Sequence, residues 1–223
     1  SDVCSSDLSA MKKPINVMLV DDHAVVRYGF RMLLEATEDI RVVAEADSAE
    51  AAYQQIPVAK PDVIVMDISL GGTMGVEATR RIVARDKMAR VLGLSSHEDP
   101  SYVRYMLKAG ALGYLSKRSA PDELMHAIRQ VAEGRMYIDS QLSQRMALEE
   151  FNGEKSPIEV LSEREFGVFI QLAKGASVNQ IADMLNISPR TVGTHLYNVK
   201  QKLGVANQAE LALIAVRHGL IEL

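Results

Sequence analysis

Two adjacent aspartates, Asp21 and Asp22, close the apolar run "VMLV", and a third, Asp67, closes "VIVMD". Further along, Ser95 and Ser96 end "VLGLSS", and Lys117 ends "GYLSK". Like charges side by side at the end of a buried segment repel unless a cation joins them. Oxygen ligands with positions left over for water suit Mg²⁺. A hard cation beside an isolated carboxylate can orient a phosphoryl group and neutralise its charge, while a lysine and a hydroxyl hold the remaining oxygens. The chemistry on offer is phosphoryl chemistry at an aspartate, provided that these residues meet.

They meet if the segments are neighbouring parallel strands. The runs "INVMLV", "VVAEA", "DVIVMD", "RVLGLSS" and "GYLSK" read as short buried strands. Segments of helical period lie between and after them, at 25–35, 49–56, 76–85, 102–109 and 121–133. This alternation predicts an α/β fold with a doubly wound, five-stranded parallel sheet. Its ligand crevice lies at the carboxyl ends of the strands, where the carboxylates, Ser95 and Lys117 would converge. Taken singly, the aspartate pair reads as a turn or helix cap and Ser95 as a local cap; the set together makes that reading untenable.

The rest of the chain reads differently. Residues 136–159 hold one short helical stretch, then Asn152-Gly153 and Ser156-Pro157, and read as a linker. From 160 to 223 no strand candidate appears; helical segments occupy 163–174, 178–186, 189–202 and 208–218. Gly175, Gly204 and Gly219 stand as terminators, and Ser188-Pro189 as an N-cap followed by proline at N1. Val192, Leu196, Val199 and Leu203 form an apolar stripe at helical spacing. Gly193, Thr194, Tyr197, Asn198 and Gln201 share a separate, polar face. With the turn Asn186-Ile187-Ser188 before it, this helix fits the major groove of DNA, with Arg190, Lys200 and Lys202 within reach of phosphates. A helical bundle that contacts protein is the alternative.

The 223 residues, 48% hydrophobic, suffice for one or two cored domains, and the net charge of -4 excludes a globally basic nucleic-acid coat. No apolar run reaches the roughly 18 residues of a membrane helix. The single cysteine, Cys4, lies in the polar leader "SDVCSSDLSA" (1–10), which is expected to be non-native. Without it no disulfide framework or thiolate zinc site is available, and a cytoplasmic protein with no membrane partner is the simple expectation. The last helix carries Ala209, Leu211, Ala212, Leu213, Ala215 and Val216, more apolar surface than one side buries, as a dimer contact would.

On these residues, 14–135 resembles the CheY-like receiver domain of bacterial two-component response regulators. The resemblance implies that Asp67 is the phosphoacceptor, with Asp22 a direct Mg²⁺ ligand and Asp21 acting largely through water. It also implies that Ser69 gives a backbone carbonyl to the metal. Ser95 matches the switch hydroxyl, Tyr114 the switch aromatic that repacks inward, and Lys117 the lysine that senses the acyl phosphate. Gly71 stands where the family usually has proline. Residues 160–223 resemble the LuxR/NarL-type (FixJ-type) helix-turn-helix domain. That implies DNA contacts from Arg190, Thr191, Gly193, Thr194, Tyr197, Asn198 and Lys200. Val178-Asn179-Gln180 and Gly193 replace the usual Asn-Lys-Glu and lysine, and Gln208 replaces a frequent arginine, which removes cations. "YIDSQLSQRMALEEF" and "AELALIAVRHGLI" look like the GacA/UvrY subgroup. The family implies a transcription regulator rather than an enzyme, with a sensor histidine kinase, promoter DNA and, when phosphorylated, a second copy as partners. A magnesium-dependent aspartyl phosphatase is the remaining alternative, although its first strand would end in Asp-x-Asp.

Overall fold

A computed structural model of the chain describes residues 13–70, 75–97, 99–152, 157–218 and 220–221. The leader 1–10, Gly71, Gly153, Ser156 and Gly219 lie outside the described residues.

The expected alternation is present: β1 (Ile15–Val20), α1 (Ala24–Glu35), β2 (Ile40–Ala46), α2 (Ala49–Ala59), β3 (Val63–Asp67), α3 (Gly75–Arg85), β4 (Val91–Ser95), α4 (Pro100–Lys108), β5 (Gly113–Ser116) and α5 (Pro121–Ala132). Among the described residues all strand pairings are parallel, in the order β2-β1-β3-β4-β5-β6. The central strands are apolar throughout because helices cover both faces. Met18, Val20, Ile64 and Met66 pack into one core, and Val17, Leu19, Val63 and Val65 into the other.

The sheet has a sixth strand where five were expected. β6 (Tyr137–Ile138) pairs with β5, inside the stretch read as linker. Two residues carry no periodicity, so only the pairing reveals it. α6 (Ser140–Asn152) follows, with Leu142 buried and its length laid against α4. Much of 136–159 is therefore packed.

The helical half comprises a short 3₁₀ turn (Pro157–Val160), α7 (Glu163–Ala173), α8 (Val178–Leu185), α9 (Pro189–Leu203) and α10 (Gln208–Arg217). Local signals set these ends. Ser162 and Ser177 form capping boxes with Glu165 and Gln180, and Ser188 accepts from the Thr191 N–H at 3.0 Å with Pro189 at the first helical position. Asn186 and Gly204 close α8 and α9 in the left-handed region, at φ 53° and 66°. Phe166, Phe169, Ile181, Val192, Val199 and Leu211 fill the core.

Glu165 does two jobs. Its carboxylate accepts from the Ser162 N–H and from Lys202 Nζ at 2.6 Å, deep in the helical core. Burial acts to raise its pKa, but these partners outweigh burial and hold the carboxyl below its usual range. A depressed folded-state value contributes stability that is fully present above the unfolded pKa of about 4.3 and is lost as pH falls through the folded value. Glu165→Gln is expected to cost about 1–2 kcal/mol at neutral pH, Lys202 being partly solvated. The deficit should shrink in urea melts taken progressively below about pH 4. A deficit independent of pH would remove the ion pair from the account.

The two halves meet at α4. Tyr105 Oη donates to the carbonyls of Ile158 and Leu161 at 2.7 and 2.9 Å, and its ring stacks on Phe166 of α7 at 4.1 Å. Tyr102 Oη donates to the Leu220 carbonyl at 2.9 Å. Arg81 of α3 donates to the Leu185 carbonyl, and Arg104 pairs with Glu159 at 2.6 Å.

Candidate functional site

The carboxyl ends of β1, β3, β4 and β5 share one edge, and the predicted residues lie there. Asp67, the last residue of β3, is 1% exposed. Its Oδ1 accepts from the Ser69 N–H at 3.1 Å. Lys117 Nζ donates to Asp21 Oδ2 at 2.7 Å and stands 3.0 Å from Asp67 Oδ2. The ammonium is in ion-pair range of that second oxygen without being angled to hydrogen-bond it, so Asp67 Oδ2 carries no hydrogen bond. Burial pushes the Asp67 pKa up, Asp21 adds to the rise, and Lys117 opposes it. For Lys117, burial acts downward, but Asp67 and Asp21 prevail and raise its value, which keeps the ammonium charged.

Asp21, Asp22 and Asp67 bring carboxylate oxygens within 4.8 Å of one another, together with a ring nitrogen of His23. The carboxylates match a hard divalent cation, and the buried, unbonded Asp67 oxygen is the kind of donor such an ion satisfies. His23 was not singled out by sequence; its Nδ1 lies 2.8 Å from Asp22 Oδ1. Its place directly after the acidic pair was the only signal.

Ser95 ends β4 fully buried, and its Oγ accepts from the His97 N–H at 2.9 Å. Tyr114 is fully buried as well, with Oη donating to the His97 carbonyl at 2.8 Å. The aromatic expected to repack inward is already inside here, because that carbonyl receives its hydroxyl. Gly75 also escaped the sequence reading. Its N–H bonds the Ile68 carbonyl, and a Cβ at this position would stand 2.1 Å from the Asp67 carbonyl oxygen. No local pattern marks this glycine, because its role depends on the Asp67 carbonyl across the turn.

On α9, Val192 and Val199 are buried and Leu196 and Leu203 pack beside them, as the stripe predicts. Arg190, Gly193, Thr194, Tyr197 and Gln201 are exposed, Tyr197 by 65%, while Thr191 and Asn198 are half-buried. Thr191 Oγ1 pairs with the capping Ser188 hydroxyl, and Thr194 Oγ1 donates to the Arg190 carbonyl. Lys200 Nζ donates to the Ala206 carbonyl at 3.1 Å. Lys202 Nζ is bound to Glu165 at 2.6 Å, with its side chain 40% exposed, so this ammonium is shared with the helical core. In α10, Leu211 and Ala215 enter the core and Leu213 stays 65% exposed.

Comparison with known proteins agrees with this geometry. Residues 17–129 match the response regulator receiver domain, and residues 159–215 match the bacterial regulatory proteins of the luxR family. The response regulator UvrY of Escherichia coli (strain K12) is 42% identical over 208 residues, covering 92% of this chain and 95% of the relative. GacA of Pseudomonas aeruginosa is 38% identical over 210 residues, covering 93% and 98%. RcsB from Salmonella enterica serovar Typhimurium, solved bound to promoter rprA with the phosphomimetic BeF3-, superposes with a TM-score of 0.74 at 25% identity, over 91% of this chain and 98% of that one. An acidic receiver site and a LuxR-type helical half in one chain, together with relatives alike over nearly their whole length, place this protein among the bacterial two-component response regulators that control transcription.

Proposed function

We propose that Asp67 accepts a phosphoryl group from the phosphohistidine of a sensor histidine kinase, and that α9 then reads promoter DNA. The observation that carries this is Asp67: a buried carboxylate, one oxygen unbonded, facing a charged lysine beside two more carboxylates. In the transfer, an Asp67 carboxylate oxygen forms the new bond to phosphorus. The phosphorus–nitrogen bond breaks, and its electron pair stays on the imidazole. Lys117 holds the added oxygens by charge, and Ser95 donates to one of them. Mg²⁺ is the cation proposed for Asp21, Asp22, Asp67 and the Ser69 carbonyl; when bound, it neutralises charge developing on the transferred group. Access for a kinase is supported by α1, which leads away from this edge with Val25, Tyr28 and Met32 exposed along one stripe.

The working units are proposed as a receiver (14–135), a connector (136–159) and a DNA-binding domain (160–223), acting in the cytoplasm as a homodimer once phosphorylated. Arg190, Thr191, Gly193, Thr194, Tyr197, Asn198 and Lys200 are proposed as the DNA face. One bond to Ala206 leaves Lys200 with donors to spare.

Two measurements test the reading. Mg²⁺ at a hundred times its dissociation constant should stabilise the chain by about 2.7 kcal/mol, and Asp22→Ala should lose most of that gain while sparing metal-free stability. Thermal melts with and without Mg²⁺ decide it; a wild-type chain indifferent to Mg²⁺ has no metal site. For DNA, Tyr197→Ala should weaken a preferred genomic fragment by about 1–3 kcal/mol more than random DNA. Lys200→Ala should weaken both alike and lower the salt slope by about one ion. Gly193→Lys has open space around its Cβ and should tighten random binding. If no change alters binding to any DNA across a salt titration, the helical half contacts protein.

A further inference from the structure

His97 is gripped from three sides. Its N–H is held by Ser95 Oγ at 2.9 Å, and its carbonyl by Tyr114 Oη at 2.8 Å. Its ring stacks on Tyr102, with centroids 4.7 Å apart and planes 11° apart. Tyr102, on the first turn of α4, is fully buried and sends its hydroxyl across to the Leu220 carbonyl of the helical half. Its ring also meets Phe166 of α7 edge-on at 5.3 Å. An unbroken line of contacts therefore runs from the acceptor's neighbour Ser95, through one imidazole, to the far end of the output half.

We propose that the His97–Tyr102 stack is the coupling element of this protein: it ties the position of the Ser95 hydroxyl to the Tyr102–Leu220 bond, one of the contacts that hold the helical half on α4. Ser95 lies one residue beyond Leu94, the register partner of Asp67. When the hydroxyl turns toward β3 to donate to a group on Asp67, any displacement of Oγ is felt by the His97 N–H that it accepts from. His97 sits two residues before Asp99, the N-cap of α4, which accepts from the Ser101 N–H at 2.8 Å. A shift of His97 therefore moves both the ring under Tyr102 and the start of its helix. A stack transmits such a shift only while both rings are present. The Leu220 bond converts it into release, because an angled hydroxyl-to-carbonyl contact weakens steeply with displacement. This inference rests on the proposed role of Asp67 and Ser95.

The test uses the full chain, beryllofluoride with Mg²⁺ as the acceptor probe, and hydrogen exchange as the readout. Fluorine resonances report whether Asp67 takes the probe in each variant. In the wild type, the probe should speed exchange of the Leu161 and Leu220 amides at least fivefold. Tyr102→Phe keeps the stack but loses the bond to the Leu220 carbonyl, so the packing that shields the Leu220 amide, itself bonded to the Ala215 carbonyl, should loosen and that amide should exchange fast with or without the probe. His97→Ala should take the probe yet show no response in the helical half, and His97→Phe, which restores a ring, should recover the response. A His97→Ala chain that responds like wild type overturns the proposal, as does slow, probe-sensitive exchange in Tyr102→Phe. If the wild-type chain never takes the probe, the reading of Asp67 fails and the relay fails with it.

Discussion

Asp67→Asn will give a folded chain that takes up no label from acetyl phosphate or from a phosphorylated kinase domain. An amide offers no carboxylate oxygen to form the bond to phosphorus, and no other aspartate of the cluster stands in its place. Asp22 is partly exposed, and Asp21 is occupied by Lys117 and by the His23 N–H. The folded state should survive, because a buried carboxylate whose pKa burial already raises becomes a neutral group of the same shape. The stability change should therefore be small or favourable, while labelling falls to background. Equal labelling of mutant and wild type sinks the assignment. So does a mutant that unfolds, since the account requires the charge at this position to be tolerated rather than needed.

Gly75→Ala will cost the fold about 3 kcal/mol, at the upper end for overpacking. The added methyl would stand 2.1 Å from the Asp67 carbonyl oxygen and 2.8 Å from the Ile68 Cα, both backbone atoms of the strand end that presents the acceptor. Neither can yield like the tip of a flexible side chain. The start of α3 or the end of β3 must move instead, so phosphorylation should slow along with the loss of stability. Chemical denaturation and the labelling rate measure the two effects. Gly29→Ala, whose Cβ would meet nothing within 4 Å, is the control. A Gly75→Ala chain as stable and as reactive as wild type would falsify the close-packed account of this turn.

Much of the site was legible because each of its residues ends an apolar run. Once "VIVMD" is a central parallel strand, Asp67 has nowhere to be but the carboxyl edge, and the same holds for Asp21, Ser95 and Lys117. The helix ends were legible for a local reason: Ser162, Ser177, Ser188 and Asn186 act within three or four residues of where they stand. What escaped depends on partners distant in sequence. β6 is defined by pairing with β5 and not by its own pattern. Gly75 matters because of the Asp67 carbonyl, and His97 because of Tyr114 and Tyr102. Lys202 looked available for phosphate on helical geometry alone; only the fold brings Glu165 to it across 37 residues.

The α4 face has one further consequence. Tyr102 and Tyr105, which it would offer to any other protein, are spent on the helical half of the same chain. Even a short flexible connection would present a covalently attached occupant at an effective concentration on the order of millimolar, and here much of the connection is packed. At equal intrinsic affinity, a free partner at micromolar concentration competes for that face at a disadvantage of roughly a thousandfold. Intramolecular occupancy thus acts as a threshold. Association through α4 stays negligible over a wide range of protein concentration, then becomes steep once the attached half lets go.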